Sequence, residues 1–244
     1  MRYVADEAAE KNFRYIEKKL GTPLQREPMP ASEIDYLRGR VPARLVQFME
    51  DSGEATYLDG AVTVCRPSVF EDVLRMVFQD DPDLRADDCT LISYGVFGLL
   101  SIWSQRHGGL TVYLVEGEVS GAGLAPSEFP AHMMPPKPAR QRSEDFLSAS
   151  RILSDVDRVD FLDFAGQEMF AACLREHGPV ALGECYGFVP ALALVGLESP
   201  FRSVAHIKRL PALEHFAILA QAQPFHIRRL GPRGMEVVRK VGGA

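Results

Sequence analysis

The chain has 244 residues, of which 46% are hydrophobic and 25% are charged, and this composition is typical of a folded protein with a substantial core. Its formal net charge of -6 disfavours direct binding to nucleic acid or to an anionic membrane, because both would repel it. The negative charge is concentrated in the first half of the chain, since residues 1–125 carry 13 basic and 20 acidic side chains.

The first half of the chain begins with helices and continues with strands. Apolar residues recur at helical spacing over 6–20, from about 32, over 42–51 and over 67–79. Asp59-Gly60 predicts the turn of a hairpin, and three runs rich in β-branched and aromatic residues predict an antiparallel meander over 90–97, 99–105 and 110–115. Helices followed by closely spaced strands indicate an α+β fold, with an antiparallel sheet flanked by helices.

The sequence pattern of the second half predicts a separate but closely associated region. Five prolines in 126–142 predict a linker or a long crossing loop. Helices are expected over about 143–153, 167–176 and 210–222, and a strand over 225–230 precedes a basic, solvated and partly disordered end. We therefore divide the chain into residues 1–125, the linker 126–142, a C-terminal domain 143–224 and a basic tail 225–244.

Motifs for catalysis or metal binding give little support to an enzyme. The sequence lacks the nucleophile elbow, the phosphate loop, the dinucleotide fingerprint and the zinc-protease motif. Cys173, His177 and Cys185 form the best zinc candidate, but a fourth ligand is missing, and a pair at this spacing is more often a core cysteine beside a helix-end histidine. We predict no catalytic residue, no metal and no cofactor.

An acidic segment is the clearest surface feature. Residues 50–88 hold eleven acidic and three basic side chains, with the densest run at DDPDLRADD over 80–88. A solvated loop and a calcium site are alternatives, although the run lacks the oxygen spacing and the central glycine of an EF-hand. Acids where a secretory signal needs an apolar run predict a cytosolic location, in which the four cysteines stay reduced.

Two groups of residues resemble known families. The string YGFVPALAL over 186–194 resembles the motif of the C-terminal domain of bacterial type VI secretion immunity proteins, and similar residues around it extend the match over about 143–223. Upstream, Pro42-x-x-Leu45-x-x-Phe48-Met49, the Tyr57-x-Asp59-Gly60 turn and the run from Val96 to Trp103 look like the GAD-like domain that precedes it in these proteins.

This resemblance implies a protein that binds and silences a cognate toxic effector, commonly a DNase, in the bacterial cytoplasm. A nuclease has a basic surface for phosphates, so exposed carboxylates could attract it. The candidate toxin-binding residues are Glu54, Asp59, Asp80, Asp81, Asp83, Asp87 and Asp88.

The family motif itself is expected to be structural rather than a contact surface. Gly187 would allow a tight bend and Pro190 would fix a backbone dihedral, beside the core residues Tyr186 and Phe188. Two other functions remain open from the residues. One is a zinc-binding or small-molecule-binding domain or an uncharacterised enzyme, and the other is an adaptor that binds through its basic tail.

Overall fold

The computed structural model describes residues 7–121, 123–124, 144, 160–231 and 234–242, which form seven α-helices and eleven β-strands. The helices are α1 Glu7–Leu20, α2 Ala31–Leu37, α3 Ala43–Ser52, α4 Glu71–Val77, α5 Phe170–His177, α6 Leu192–Val195 and α7 Ala212–Ala222. The strands are β1 Gln25–Glu27, β2 Glu54–Tyr57, β3 Val62–Val64, β4 Cys89–Gly95, β5 Leu99–Ser104, β6 Gly108–Tyr113, β7 Glu118–Ser120, β8 Glu184–Phe188, β9 Ile207–Pro211, β10 His226–Gly231 and β11 Gly234–Lys240.

Nine of the strands form one large sheet in the order β1-β2-β3-β4-β5-β6-β7-β10-β11, and β8 and β9 form a small second sheet. The predicted hairpin is confirmed, because β2 and β3 pair antiparallel around the turn that contains Asp59 and Gly60. The predicted meander is also confirmed, since β4, β5 and β6 pair antiparallel in chain order. The α+β class is therefore correct.

The end of the chain differs from the prediction. Instead of a solvated, partly disordered tail, β10 and β11 form an antiparallel hairpin, and β10 pairs in parallel with β7 at the edge of the large sheet. Alternation in the run from Phe225 to Leu230 indicated the first of these strands, but nothing local indicated its partner in the first half of the chain. Of the basic residues of this segment that the structure describes, Arg228 and Arg229 lie on β10, and Arg239 and Lys240 lie on β11.

Helices cover both faces of the large sheet. On one face, α1 and α3 bury Phe13, Ile16, Leu45 and Phe48 together with Trp103 of β5. On the other face, α4, α7 and the small sheet share one apolar cluster with the strands. Tyr94 of β4 lies edge-on to Phe216 of α7, with ring centroids 5.3 Å apart. Among the described residues, the two sequence regions thus share one core.

The proline-rich segment 126–142 lies outside the described residues. So does the helix predicted over 143–153, apart from Glu144, which is helical and exposed. The helices predicted over 167–176 and 210–222 correspond to α5 and α7.

Candidate functional site

The acidic loop between α4 and β4 is held in place by one buried carboxylate. Asp81 accepts hydrogen bonds from the backbone N–H groups of Asp83, Leu84 and Gly242, at 2.9, 2.8 and 3.0 Å. Its two carboxylate oxygens also accept from Arg239 of β11, at 2.6 and 3.0 Å. Asp81 therefore connects the loop to the C-terminal hairpin.

The electrostatics of Asp81 follow from these contacts. Burial alone would raise the pKa of this carboxyl group, because it disfavours the charged form. The hydrogen bonds from Arg239 and from the three backbone N–H groups outweigh burial and hold the pKa of Asp81 well below its usual range. Asp81 is thus ionised and structural, and we remove it from the candidate contact residues.

Four other carboxylates of this loop point outward to different degrees. Asp80 and Asp87 are exposed, Asp88 is half-buried, and Asp83 is exposed while it accepts a hydrogen bond from Arg239 at 3.0 Å. Asp80 adopts a left-handed backbone conformation, with φ 57°, and lines an open groove of about 450 Å³ between the ends of α4 and α7. The loop therefore presents fixed negative charge to solvent.

Glu54 has a different environment. It is a buried residue of β2 and forms an ion pair with Arg66 at 2.8 Å. Burial raises the pKa of its carboxyl group, although the charge of Arg66 opposes the shift. Glu54 is used inside the fold, and we remove it from the contact residues as well.

Asp59 is exposed but lies far along the sheet from the acidic loop. Its turn adjoins the end of β4 at Gly95, because Val62 pairs with Gly95, whereas Asp88 precedes Cys89 at the opposite end. The seven residues of β4 separate the two ends by about 20 Å. The acidic segment of the sequence is therefore two surfaces and not one continuous rim.

The family motif builds the small sheet. Tyr186 and Phe188 of β8 are buried, and the Tyr186 backbone N–H donates to the carbonyl of Val96 at 2.8 Å, which joins β8 to the large sheet. After Phe188, the peptide bond between Val189 and Pro190 is cis. These positions agree with a structural role for Tyr186, Phe188 and Pro190.

Gly187 is required for a reason that the sequence did not indicate. It does not have a positive φ, so the expected tight bend is absent. A Cβ atom at this position would instead lie 2.6 Å from Nε2 of His215 and 2.6 Å from Cδ1 of Leu210. Gly187 thus provides the space into which α7 packs. Burial lowers the pKa of His215 to about 4, so this imidazole is neutral.

The candidate zinc ligands lie in the packed interior of the fold. Cys173 and Cys185 are fully buried, and burial raises the pKa of the Cys173 thiol to about 12. His177 packs against Tyr186, with ring centroids 6.2 Å apart. Across the described ranges, no group of three or more His, Cys, Asp or Glu side chains could hold a metal ion.

Sequence reasoning missed two exposed aromatic residues. Of the phenylalanines that the structure describes, only Phe164 and Phe201 are exposed, with 54% and 38% of their surface open to solvent. Their loops carry no periodic pattern from which exposure could be predicted. The surface of this α+β protein thus offers an ordered acidic loop and, separately, two exposed phenylalanines, and both charged and aromatic side chains occur at protein interfaces.

Comparison with known families and structures agrees with this class. Residues 11–115 match the model of the GAD-like domain, and residues 150–223 match the model of the T6SS immunity protein Tdi1, C-terminal. The chain therefore carries a GAD-like region followed by a region similar to the C-terminal domain of the T6SS immunity protein Tdi1. The resemblance inferred from YGFVPALAL is confirmed.

A solved structure has the same fold. The crystal structure of Atu4351 from Agrobacterium tumefaciens matches with a TM-score of 0.81 and 23% sequence identity, over 95% of this chain and 99% of that chain. At this identity the likeness concerns the fold alone. No curated protein matches the chain. Within the residues that the structure describes, no helix is long and apolar enough to cross a membrane.

Proposed function

We propose that the protein binds a cognate type VI secretion DNase and silences it by protein–protein contact, without catalysing a reaction itself. Its C-terminal family supports the immunity role. A DNase acts on the chromosome, so the proposal requires the protein to reside in the bacterial cytoplasm.

The observation that carries the proposal is the ordered acidic loop. Because Arg239 and three backbone N–H groups hold Asp81, the carboxylates of Asp80, Asp83, Asp87 and Asp88 stay in fixed positions at the surface. A nuclease needs a basic surface to bind phosphates, and fixed negative charge on an inhibitor attracts such a surface. Complementary charge of this kind mainly accelerates association.

Charge alone would not provide tight neutralisation. A stable complex buries roughly 1,600 Å² in total, with a packed apolar centre inside a polar rim. We therefore assign the loop to attraction and orientation of the toxin, and Asp59, at the far end of β4, to a separate part of the contact.

A DNA-cleavage assay tests the proposal. The probe is the effector encoded in the open reading frame next to this gene, purified and mixed with plasmid DNA. We expect an equimolar amount of the immunity protein to stop cleavage, and we expect cleavage by an unrelated DNase to continue. Unimpeded cleavage by the adjacent effector, or an adjacent effector without DNase activity, would refute the proposal.

A further inference from the structure

The two loops that carry the exposed phenylalanines lie against each other. The backbone N–H of Phe164 donates to the carbonyl of Arg202 at 2.7 Å, so the loop over 160–169 lies against the turn that contains Phe201. Leu162, in the first of these loops, is also 53% exposed. The apolar side chains of the two loops therefore belong to one surface.

The loop that carries Phe164 is ordered by side-chain hydrogen bonds. Oδ1 of Asp163 accepts from the backbone N–H groups of Ala165 and Gln167, both at 2.8 Å. Oδ1 of Asp160 accepts from Phe161, Met169 and Phe170, and so fixes the loop to the start of α5. Phe164 is thus exposed on a fixed backbone.

Phe201 is held from the other side by His206. The two rings lie edge to face with centroids 4.7 Å apart, and Nδ1 of His206 lies 2.9 Å from the Ser203 hydroxyl. Val189, which is 40% exposed, donates its backbone N–H to the carbonyl of His206 at 2.8 Å. We call the exposed group of Leu162, Phe164, Val189 and Phe201 the aromatic patch.

Such a patch has the properties of an interface centre. Aromatic anchors carry a large share of the binding energy at protein interfaces, and they lose little conformational entropy when their backbone is already fixed. Contiguous exposed apolar surface on a folded protein marks interaction sites more often than chance. The remaining question is which molecule covers it.

The charge around the patch identifies the partner's chemistry. Residues 160–211, which include every member of the patch, contain six acidic and four basic side chains, and Arg209 is paired with Glu184. Asp163 adjoins Phe164, Glu168 forms a β-bridge with Leu162, and Glu198 lies in the turn that precedes the turn of Phe201. Arg202, next to Phe201 in sequence, offsets part of this negative charge. An apolar centre with an acidic rim fits a partner whose apolar side chains are flanked by lysine or arginine.

We propose that the aromatic patch is the packed centre of the contact with the cognate nuclease, and that it receives an apolar side chain from the basic surface of that enzyme. This inference rests on the proposed function and deepens it. The acidic loop over 80–88 then sets how fast the complex forms, whereas the aromatic patch sets how long it lasts. A second copy of this chain is the competing occupant.

The experiment compares the wild-type chain with the variant Phe164→Ala/Phe201→Ala. The probe is the adjacent effector, inactivated in its own catalytic site, and binding is followed by surface-immobilised kinetics. We expect the double variant to bind at least about 30-fold more weakly, with most of the loss in the dissociation rate. Tyr15→Ala is the matched control, since Tyr15 is 56% exposed on α1 and belongs to the other face of the sheet.

The outcomes separate the two proposals. If the wild-type chain fails to bind the effector, the proposed function is wrong; if it binds and the double variant binds equally well, the function survives and the patch assignment is wrong. Sedimentation of the wild-type chain as a dimer that the double substitution dissociates, with effector binding unchanged, would assign the patch to a second copy and also overturn it. Thermal unfolding verifies that the double variant is folded. A second variant, Phe164→Glu, leaves every backbone hydrogen bond of its loop in place, and we expect it to weaken binding in the same way.

Discussion

Arg239 of the last strand donates hydrogen bonds to both carboxylate oxygens of Asp81, although 158 residues separate the two. The Asp81 side chain is fully buried, whereas that of Arg239 is 32% exposed. This ion pair fixes the acidic loop and attaches the C-terminal hairpin to it. The order of the acidic loop and the attachment of the hairpin therefore depend on one interaction.

Breaking this ion pair is expected to destabilise the protein. Asp81→Asn leaves the guanidinium of Arg239 without its buried counter-charge, and we expect the free energy of unfolding to fall by about 3 kcal/mol at neutral pH. Because the pKa of Asp81 is lowered in the folded state, this stabilisation is present above the ordinary Asp range and disappears as the pH falls below it. Urea unfolding measures the change. Asp80→Asn, which removes an exposed carboxylate of the same loop, is the control and should change stability by less than about 0.5 kcal/mol.

Removing the free charges of the loop is expected to slow toxin binding without changing the fold. The variant Asp80→Asn/Asp87→Asn/Asp88→Asn keeps Asp81 and Asp83 in place. We expect its association rate with the effector to fall by about 10-fold at low salt and to depend less on ionic strength, because steering by charge is screened by salt. Stopped-flow mixing over a salt series measures both. The variant Glu7→Gln/Glu27→Gln/Glu50→Gln removes equal charge elsewhere, and an equal effect from it would show that net charge, and not the loop, matters.

A side chain at Gly187 is expected to push α7 away from the small sheet. Gly187→Ala places a methyl group 2.6 Å from the His215 ring, so we expect a loss of about 1–3 kcal/mol in the free energy of unfolding. The double variant Gly187→Ala/His215→Ala removes the clash with the His215 ring, although the close contact with Leu210 remains, and its stability should exceed the value expected from adding the two single changes. Strict additivity in this double-mutant cycle would contradict the proposed contact.

Two buried groups are expected to give opposite pH dependences. Burial lowers the pKa of His215 from 6.5 to about 4, so the unfolded chain binds a proton first and stability falls as the pH drops from 6.5 to 4. Burial raises the pKa of Glu116 from 4.5 to about 7, so stability falls as the pH rises from 4.5 to 7. As the pH falls within this window, we expect His215→Gln to lose less stability than the wild-type chain, because the destabilising protonation of His215 is removed. We expect Glu116→Gln to gain less stability than the wild-type chain, because the stabilising protonation of Glu116 is removed. Chemical unfolding between pH 4.5 and 7 measures the slopes, and equal slopes for both variants would exclude this assignment.

Local patterns in the sequence predicted the elements but not their partners. The Asp59-Gly60 turn and the meander were correct because turn residues and alternating strands act over a few positions. The pairing of β10 with β7 depends on shared burial across more than 100 residues, which no local pattern encodes. The role of Gly187 was predicted from its own backbone, whereas the decisive contact comes from His215 on α7.

The candidate site was predictable in charge but not in exposure. Counting carboxylates located the acidic loop correctly. Counting did not distinguish Asp81 and Glu54, which form ion pairs inside the fold, from Asp80 and Asp87, which face solvent. Phe164 and Phe201 were missed because an isolated phenylalanine in a loop resembles a core residue in sequence.

The parallel pairing of β7 with β10 also has a consequence for synthesis on the ribosome. Strands are made in chain order, so β7 leaves the exit tunnel long before β10 exists and its outer edge stays without a partner for about 100 residues of translation. An unpaired strand edge invites association with other chains. We therefore expect truncated translation products that end before residue 226 to aggregate, even when they contain the whole GAD-like region.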